Sequence, residues 1–261
     1  MGNTKLSLLT TNPKLPFWGV IATFAVAEYA LTYLNLKAGF IIYLFLFILL
    51  STQAYLKNKG AEFYLYLSLT LVPLLRTLSL SLPLSATPLI YWYLITSIPL
   101  FIVGWLIVKA GGFKLNEIGL NLSNLPLQLA IALGGGIMGF IQYLLIKPAF
   151  FIHAGTVPEL LIWIIVLLVC TGFLEEFIFR GIMYNAAEKV LGSKDALSYV
   201  GLIYAILHVS AKSFGFIIYV FVVALLFNKL FTWQRSLLGL SMAHGILNIT
   251  LYLICPLVIG F

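Results

Sequence analysis

Apolar runs separated by short polar breaks fill most of the chain, and most of the runs are about as long as a membrane span. A helix needs about 20 apolar residues to cross a bilayer. The pattern therefore predicts an all-α polytopic transmembrane helical bundle of about eight to nine spans. In an eight-span alternative, residues 195–231 are partly re-entrant. The runs cover residues 16–36, 39–56, 61–82, 88–108, 125–146, 157–186, 195–210, 213–231 and 237–259.

The composition excludes three classes of protein: soluble globular domains, disordered chains and small disulfide-stapled domains. Of 261 residues, 62% are hydrophobic and 9% are charged. Soluble domains have nearer a quarter of their residues charged, and disordered chains need low hydrophobicity. Two cysteines in apolar runs do not make a disulfide-stapled fold. The lipid bilayer is thus the expected surrounding, and the net charge of +7 indicates basic loops and no nucleic-acid partner.

The basic residues predict an orientation. With the N-terminus in the cytoplasm and nine spans, inside segments hold ten Lys or Arg residues and outside segments hold three. Cytoplasmic loops carry the excess of basic residues. We therefore expect an integral, multi-pass protein of the cell (plasma) membrane with a cytoplasmic N-terminus; the sequence does not predict an oligomeric state. The inside set is Lys5, Lys14, Lys57, Lys59, Lys109, Lys114, Lys189, Lys194, Lys229 and Arg235, and the outside set is Lys37, Lys147 and Lys212.

One polar segment, Gly111–Leu125, interrupts the apolar pattern. We expect it to lie in the membrane interface, with Phe113, Leu115, Ile118 and Leu120 facing lipid. It divides the chain into N-terminal transmembrane helices with this interfacial segment (1–124) and a catalytic helical core (125–261).

The sixth apolar run contains a cluster of three ionisable residues near its C-terminal end: Glu175, Glu176 and Arg180. Each costs roughly 2.5–3.5 kcal/mol inside a membrane helix, so each is a candidate functional residue. Glu176 and Arg180 are four residues apart on one helical face and are expected to pair. Glu175 points about 100° away and has no cation within its helix. A capping box at Thr156 and Glu159 predicts the helix start, which would bring this cluster near the cytoplasmic leaflet.

Polar residues recur at helical spacing in the last spans. Tyr204 precedes His208 by four residues, and His244 precedes Asn248 by four. An unpaired polar group in hydrocarbon costs several kcal/mol, so His208, His244 and Asn248 are expected to converge with Glu175 and Arg180.

Such a cluster has two chemical interpretations. A carboxylate and an imidazole around one water form a general-base pair, and a second imidazole with a carboxamide stabilises an oxyanion. Alternatively, Glu175, His208 and His244 form a ligand set for Zn²⁺ with an open position. The zinc-protease motif His-Glu-x-x-His is absent, so spacing alone does not favour the metal.

Three motifs make residues 157–255 resemble the CPBP intramembrane proteases, a family that includes CAAX prenyl endopeptidases and bacteriocin-processing enzymes. They are Glu-Glu-x-x-x-Arg from Glu175 to Arg180, Tyr-x-x-x-His from Tyr204 to His208, and His-x-x-x-Asn from His244. Phe is usual where this chain has Tyr204.

The resemblance implies an endopeptidase and a role for each motif residue. Glu175 would activate water with help from His208, while His244 and Asn248 would form the oxyanion hole. Three further residues would shape the site: Glu176, Arg180 and Tyr204. The substrate would be a membrane-associated protein or peptide, cut near the C-terminus of a prenylated CAAX-type chain or elsewhere.

Two alternatives to a protease remain at this stage. One is a non-catalytic scaffold or bacteriocin-immunity protein that binds a partner helix through the same polar cluster. The other, less favoured, is a transporter with a proton-coupled carboxylate, although the inverted repeats typical of transporters are not evident.

Two N-terminal features have packing interpretations. Arg76 in the third run has Glu28 in the first as a candidate partner, and contact with a substrate carboxylate is the alternative. Gly135 and Gly139 form a small-xxx-small pattern that predicts close helix packing.

Overall fold

In the computed structural model, which describes residues 14–82, 89–148 and 156–259, the chain forms a bundle of nine helices. Eight of these are long and apolar enough to cross a membrane. The remaining helix, α7, has 14 residues and rises about 21 Å, less than the ~30 Å hydrocarbon core. The helices are α1 (Leu15–Leu34), α2 (Leu36–Lys57), α3 (Ala61–Ser81), α4 (Leu89–Ala110), α5 (Leu125–Ile146), α6 (Val157–Leu191), α7 (Ser193–Ile206), α8 (Phe214–Gln234) and α9 (Leu238–Ile259).

Helix α6 is the longest element and carries the acidic pair near its middle. Its first residues form the predicted capping box between Thr156 and Glu159. The helix continues past the predicted end at 186 to Leu191, over 35 residues. Wider π-helical turns flank the short α-helical segment Leu174–Glu176. Such turns are frequent at functional sites. Because the helix is longer than predicted, Glu175 lies far from either end.

Glycines allow α9 to pack directly against its neighbours. A Cβ on Gly135 would lie 2.1 Å from the Ala243 carbonyl oxygen, and one on Gly139 would lie 2.5 Å from that of Leu247. On α6, a Cβ on Gly172 would lie 2.7 Å from the backbone nitrogen of Gly245. The predicted close packing at Gly135 and Gly139 is confirmed, and it brings α9 against both α5 and α6.

The interfacial segment packs into the protein more than predicted. Phe113 and Ile118 are buried in the main hydrophobic core, while Leu115 is exposed. The Gly119 carbonyl accepts a hydrogen bond from the Leu237 amide at 2.8 Å. The expectation that Phe113 and Ile118 face lipid is therefore wrong, because this segment covers the end of α9.

The N-terminal helices share one core with the rest of the bundle. The main hydrophobic core contains buried residues of α1–α4 and of α6–α9. Tyr199 on α7 donates a hydrogen bond to the Phe17 carbonyl on α1 at 3.2 Å. The division at residue 124 stays a prediction.

Charged residues collect at one end of the bundle, which we call the lysine-rich end. Contacts join its loops: Lys14 pairs with Asp195 at 2.6 Å and Arg235 with Glu188 at 2.7 Å, and Lys189 lies 4.2 Å from the Phe113 ring centroid. The described basic residues of this end are Lys14, Lys57, Lys59, Lys109, Lys114, Lys189, Lys194, Lys229 and Arg235. The opposite end carries Lys37, Lys147 and Lys212.

We predict that Gly135→Ala destabilises the bundle whereas Gly134→Ala does not. The added methyl at 135 overlaps the α9 backbone, and overpacking typically costs about 1–3 kcal/mol. At 134 the nearest atom would be Met138 Cε at 3.8 Å, an ordinary contact. Thermal unfolding in detergent checks this prediction, and equal unfolding temperatures for the two variants would contradict the packing account.

Candidate active site

A buried guanidinium lies at the centre of the polar cluster. The side chains of Arg180 and Glu176 are 1% and 0% exposed, and Arg180 Nη1 donates to Glu176 Oε1 at 3.0 Å. Arg180 Nε donates to Asn228 Oδ1 at 3.1 Å, and Nη2 donates to the Ala224 carbonyl at 3.4 Å. The pair predicted from spacing is thus present, and α8 supplies the remaining acceptors.

Asn228 is the residue that the sequence interpretation missed. It is fully buried in α8, and its Nδ2 donates to the Leu197 carbonyl of α7 at 2.9 Å. Through this residue, Arg180 is tied to two further helices. A carboxamide inside an otherwise apolar run was the available signal, since such a group must find a partner.

Glu176 also orients a histidine of α9. His244 Nδ1 lies 2.8 Å from Glu176 Oε1. Because the ion-paired carboxylate only accepts hydrogen bonds, Nδ1 carries a proton and donates it. The other ring nitrogen, Nε2, lies 3.8 Å from Glu175 Oε2. Glu176 therefore fixes which edge of the imidazole faces the second carboxylate.

Glu175 occupies a different environment from its neighbour. Its side chain is 28% exposed, and the Tyr204 hydroxyl donates to its Oε2 at 2.8 Å. Among the described residues, none forms a hydrogen bond with Glu175 Oε1. The Tyr204 hydroxyl also lies 3.5 Å from His244 Nε2. Tyr204 thus steadies one carboxylate oxygen and leaves the other accessible.

His208 and Asn248 lie on the same cavity. His208 Nδ1 lies 2.8 Å from the Tyr204 carbonyl oxygen, so this nitrogen is engaged with the end of α7. Asn248 Nδ2 donates to Thr171 Oγ1 at 2.9 Å. Thr171 is a second contact that the sequence interpretation missed, because an isolated threonine in an apolar run is common.

A cavity of about 320 Å³, which we call the main chamber, brings the predicted residues together. Its lining includes every predicted site residue: Glu175, Glu176, Arg180, Tyr204, His208, His244 and Asn248. It also includes Tyr93 of α4 and Gln142 of α5, so the cavity is not confined to the last four helices. A cavity of this volume is large enough to hold a water molecule and a peptide bond of a substrate.

A second cavity of about 570 Å³, the side chamber, adjoins the main chamber. Glu175, Tyr204 and His208 line both cavities. The far wall comes from α1 and α3, where Arg76 Nε donates to Glu28 Oε1 at 2.5 Å. This pair confirms the partner predicted for Arg76.

The zinc interpretation finds no assembled ligand set. Within the described ranges, no group of three His, Cys, Asp or Glu side chains could hold a metal ion. Glu175, His208 and His244 line one cavity, but in this arrangement they do not form a three-ligand set.

The cavities reach the end of the bundle opposite the lysine-rich end. The exposed residues Ser210 and Ala211 line the main chamber, and Lys212 lines the side chamber. A cytoplasmic N-terminus and a polar cluster near the cytoplasmic leaflet are therefore incompatible expectations, because α6 extends to Leu191 and Glu175 lies away from the lysine-rich end. Which of the two holds stays a prediction.

Comparison with known proteins gives a match over the segment that carries these site residues. Residues 157–250 match the family model described as Type II CAAX prenyl endopeptidase Rce1-like. This part of the chain, which we call the protease core, matches a CPBP-family intramembrane protease. The match supports a CAAX-type intramembrane protease with a membrane-associated protein substrate, and the eight apolar helices support a multi-pass membrane protein. No curated protein and no solved structure matches the chain.

The matched CPBP segment contains all three motifs and begins with α6. Helices α1–α5 lie outside the match, yet Tyr93 and Arg76 from these helices line the two chambers. The N-terminal helices therefore contribute walls to the cavities of the protease core.

We predict that Glu176→Gln lowers the unfolding temperature of the protease and its activity together. The change leaves Arg180 buried without its counter-charge, and breaking a buried pair in this way costs about 3–5 kcal/mol. Glu188→Gln is the matched control, because Glu188 pairs with Arg235 at the partly exposed lysine-rich end, where a pair contributes at most about 1 kcal/mol. Unfolding of both variants at the wild-type temperature would refute the structural role of Glu176.

Proposed function

We propose that the protein is an endopeptidase in which Glu175 activates a water for attack on a peptide bond of a membrane-associated protein or peptide. One observation carries this proposal: of two adjacent carboxylates that line the main chamber, only Glu175 has a partly exposed side chain, 28% against 0% for Glu176. Glu176 is fully buried and committed to Arg180 and His244.

The reaction that this arrangement favours is direct hydrolysis. Glu175 Oε1 accepts a proton from water as the water oxygen bonds to the scissile carbonyl carbon. The tetrahedral intermediate then collapses with cleavage of the C–N bond. The departing nitrogen takes up the proton held by Glu175, with His208 beside the same chamber assisting the transfer. No covalent enzyme intermediate is needed, and the carboxylate is regenerated.

His244 and Asn248 are our proposed stabilisers of the oxyanion. Because Nδ1 of His244 donates to Glu176, Nε2 can donate only when the ring carries both protons. Two carboxylates flank that ring, at 2.8 Å and 3.8 Å, and offset the charge of the imidazolium. Asn248 Nδ2 has two hydrogens, one of which goes to Thr171, so the other is available to the oxyanion.

We predict that Glu175→Gln abolishes cleavage and keeps the fold. The change removes the proton acceptor yet preserves the volume of the side chain and one hydrogen-bond acceptor for Tyr204. Protein and peptide termini in host membranes are compared by mass spectrometry between cells carrying the wild type and the variant, which requires no prior choice of substrate. Termini present with the wild type should disappear with Glu175→Gln.

Glu62→Gln is the control for this comparison, since Glu62 pairs with Lys57 at the lysine-rich end, far from the chambers. It should leave the set of termini unchanged. Identical termini for wild type and Glu175→Gln, with both proteins folded and abundant, would reject the mechanism and favour the scaffold alternative.

We further propose that the N-terminus and the lysine-rich end lie in the cytoplasm, so that the chambers open on the other face of the membrane. Nine described basic residues lie towards one end and three at the other, and cytoplasmic loops carry the basic excess. A substrate would then reach Glu175 from the non-cytoplasmic side, which suits a membrane-inserted or exported polypeptide.

Cysteine labelling tests this orientation. In a chain lacking Cys170 and Cys255, a cysteine replaces either Ala211 at the chamber mouth or Lys114 at the lysine-rich end. We predict that a membrane-impermeant maleimide added to intact cells labels Ala211→Cys, and labels Lys114→Cys only after the cells are opened. The reverse pattern would place the chambers on the cytoplasmic side.

A further inference from the structure

We propose that Thr171 is a positioning residue for the oxyanion site, because its hydroxyl fixes the orientation of the Asn248 carboxamide. This inference rests on the proposed function, since it assigns a group that acts through one of the two proposed oxyanion donors. Thr171 lies four residues before Glu175 and belongs to none of the three sequence motifs.

The carboxamide of Asn248 has one hydrogen-bond partner among the described residues. Its Nδ2 donates to Thr171 Oγ1 at 2.9 Å. Both residues are buried, with 8% of Asn248 and 4% of Thr171 exposed. The last torsion of an asparagine side chain is broad and roughly two-fold, so the side chain alone does not choose between its two amide orientations. The contact with Thr171 therefore decides where the nitrogen of the carboxamide lies.

The hydroxyl of Thr171 can only accept a hydrogen bond from Asn248. A hydroxyl has one hydrogen, and Thr171 donates it to the carbonyl of Leu167, one turn earlier in α6. The oxygen is left as an acceptor, and only Nδ2 of the carboxamide can donate to it. If the carboxamide turned over, its Oδ1 would face the Thr171 oxygen without a hydrogen between them. Thr171 thus excludes the orientation that exchanges the amide nitrogen for the oxygen.

Close packing of two glycines brings Thr171 within reach of Asn248. A Cβ on Gly172 would lie 2.7 Å from the backbone nitrogen of Gly245, and a Cβ on Gly245 would lie 2.9 Å from Leu168 Cα. Small residues allow helix backbones to approach this closely. The short side chains of a threonine and an asparagine can then meet across the contact between α6 and α9.

Both proposed oxyanion donors are held by anchors on α6. Thr171 holds Asn248, and Glu176 holds His244. The anchors are five residues apart, whereas the donors on α9 are four apart. Neighbours on one face of an α-helix are three or four residues apart, but a π-helix joins residues five apart. The π-helical turns that flank Leu174–Glu176 therefore suit α6 to hold both donors from one side.

A buried threonine elsewhere in the bundle shows what a purely local role looks like. Thr70 is also 4% exposed, and its hydroxyl donates to the Leu67 carbonyl of its own helix at 2.6 Å. It lines neither chamber. Thr171 makes the same kind of local bond but in addition accepts from Asn248, and both of these residues line the main chamber. Thr70 is thus the matched control for Thr171.

Cleavage rates of matched variants test the positioning role. The Glu175-dependent termini are followed over time by mass spectrometry in membranes that contain equal amounts of each protein. Removal of an oxyanion donor costs about 100-fold or more in rate, which is the loss expected for Asn248→Ala. Thr171→Val keeps the shape of the side chain without its hydroxyl and should slow cleavage about tenfold, the effect of losing one hydrogen bond. Thr171→Ser keeps the hydroxyl and should restore most of the rate, and Thr70→Val should cleave like the wild type.

The double variant Thr171→Val/Asn248→Ala separates positioning from a structural role. If Thr171 acts through Asn248, the double variant should be no slower than Asn248→Ala, because the group that Thr171 orients is already absent. A structural role would slow the double variant by the same factor as Thr171→Val slows the wild type. Multiplying effects, or a wild-type rate in Thr171→Val, would overturn the proposal.

Thermal unfolding in detergent tests the hydrogen bond without cleavage. The double variant should lower the unfolding temperature by clearly less than the sum of the decreases in Thr171→Val and Asn248→Ala, because the two single changes remove the same bond. Additive decreases would show that the two side chains do not interact, and would also overturn the proposal.

The positioning role and the water mechanism fail in different ways. Unchanged membrane termini in Glu175→Gln would reject the mechanism, and the role of Thr171 in oxyanion stabilisation would fall with it. Loss of termini in Glu175→Gln combined with a wild-type rate in Thr171→Val would keep the mechanism and reject the positioning role.

Discussion

A guanidinium buried inside a membrane bundle has to be neutralised and hydrogen-bonded, and this requirement at Arg180 organises the protease core. Glu176 supplies the counter-charge from the same helix, while Asn228 and the Ala224 carbonyl supply acceptors from α8. The carboxylate that neutralises Arg180 also accepts from His244 on α9. One ion pair therefore fixes the relative positions of α6, α8 and α9, and the orientation of the imidazole follows from it.

The same arrangement separates the two adjacent glutamates into different environments. A step of about 100° around α6 turns Glu175 away from Arg180 and into the wall between the two chambers. There its partner is the neutral hydroxyl of Tyr204, at the position where Phe is usual in the family it resembles. A carboxylate held by a neutral donor keeps its capacity to accept a proton, and this difference underlies the proposed division between a structural and a catalytic acid.

The sequence predicted the parts of this site that depend on local geometry or on the cost of burying a polar group. Helical spacing was sufficient to predict the Glu176–Arg180 pair. The cost of burying a charge was sufficient to predict that Arg76 pairs with Glu28. The sequence did not reveal Asn228, whose partners come from other helices. It did not reveal the length of α6 either, because the apolar run ends near Ala186 whereas the helix continues through a polar turn that exposes Lys189 and buries Leu191. The side chamber was equally unpredictable, since its walls come from helices distant in sequence.

The central claim is that the buried pair between Glu176 and Arg180 holds the protease core together. A double-mutant cycle measures it most directly, using the free energy of unfolding of Glu176→Gln, Arg180→Gln and the double variant. The account predicts that each single change costs about 3–5 kcal/mol and that the double variant is destabilised by clearly less than their sum, with a coupling of about 2 kcal/mol or more. Additive effects would show that the two side chains act independently, and would contradict the account.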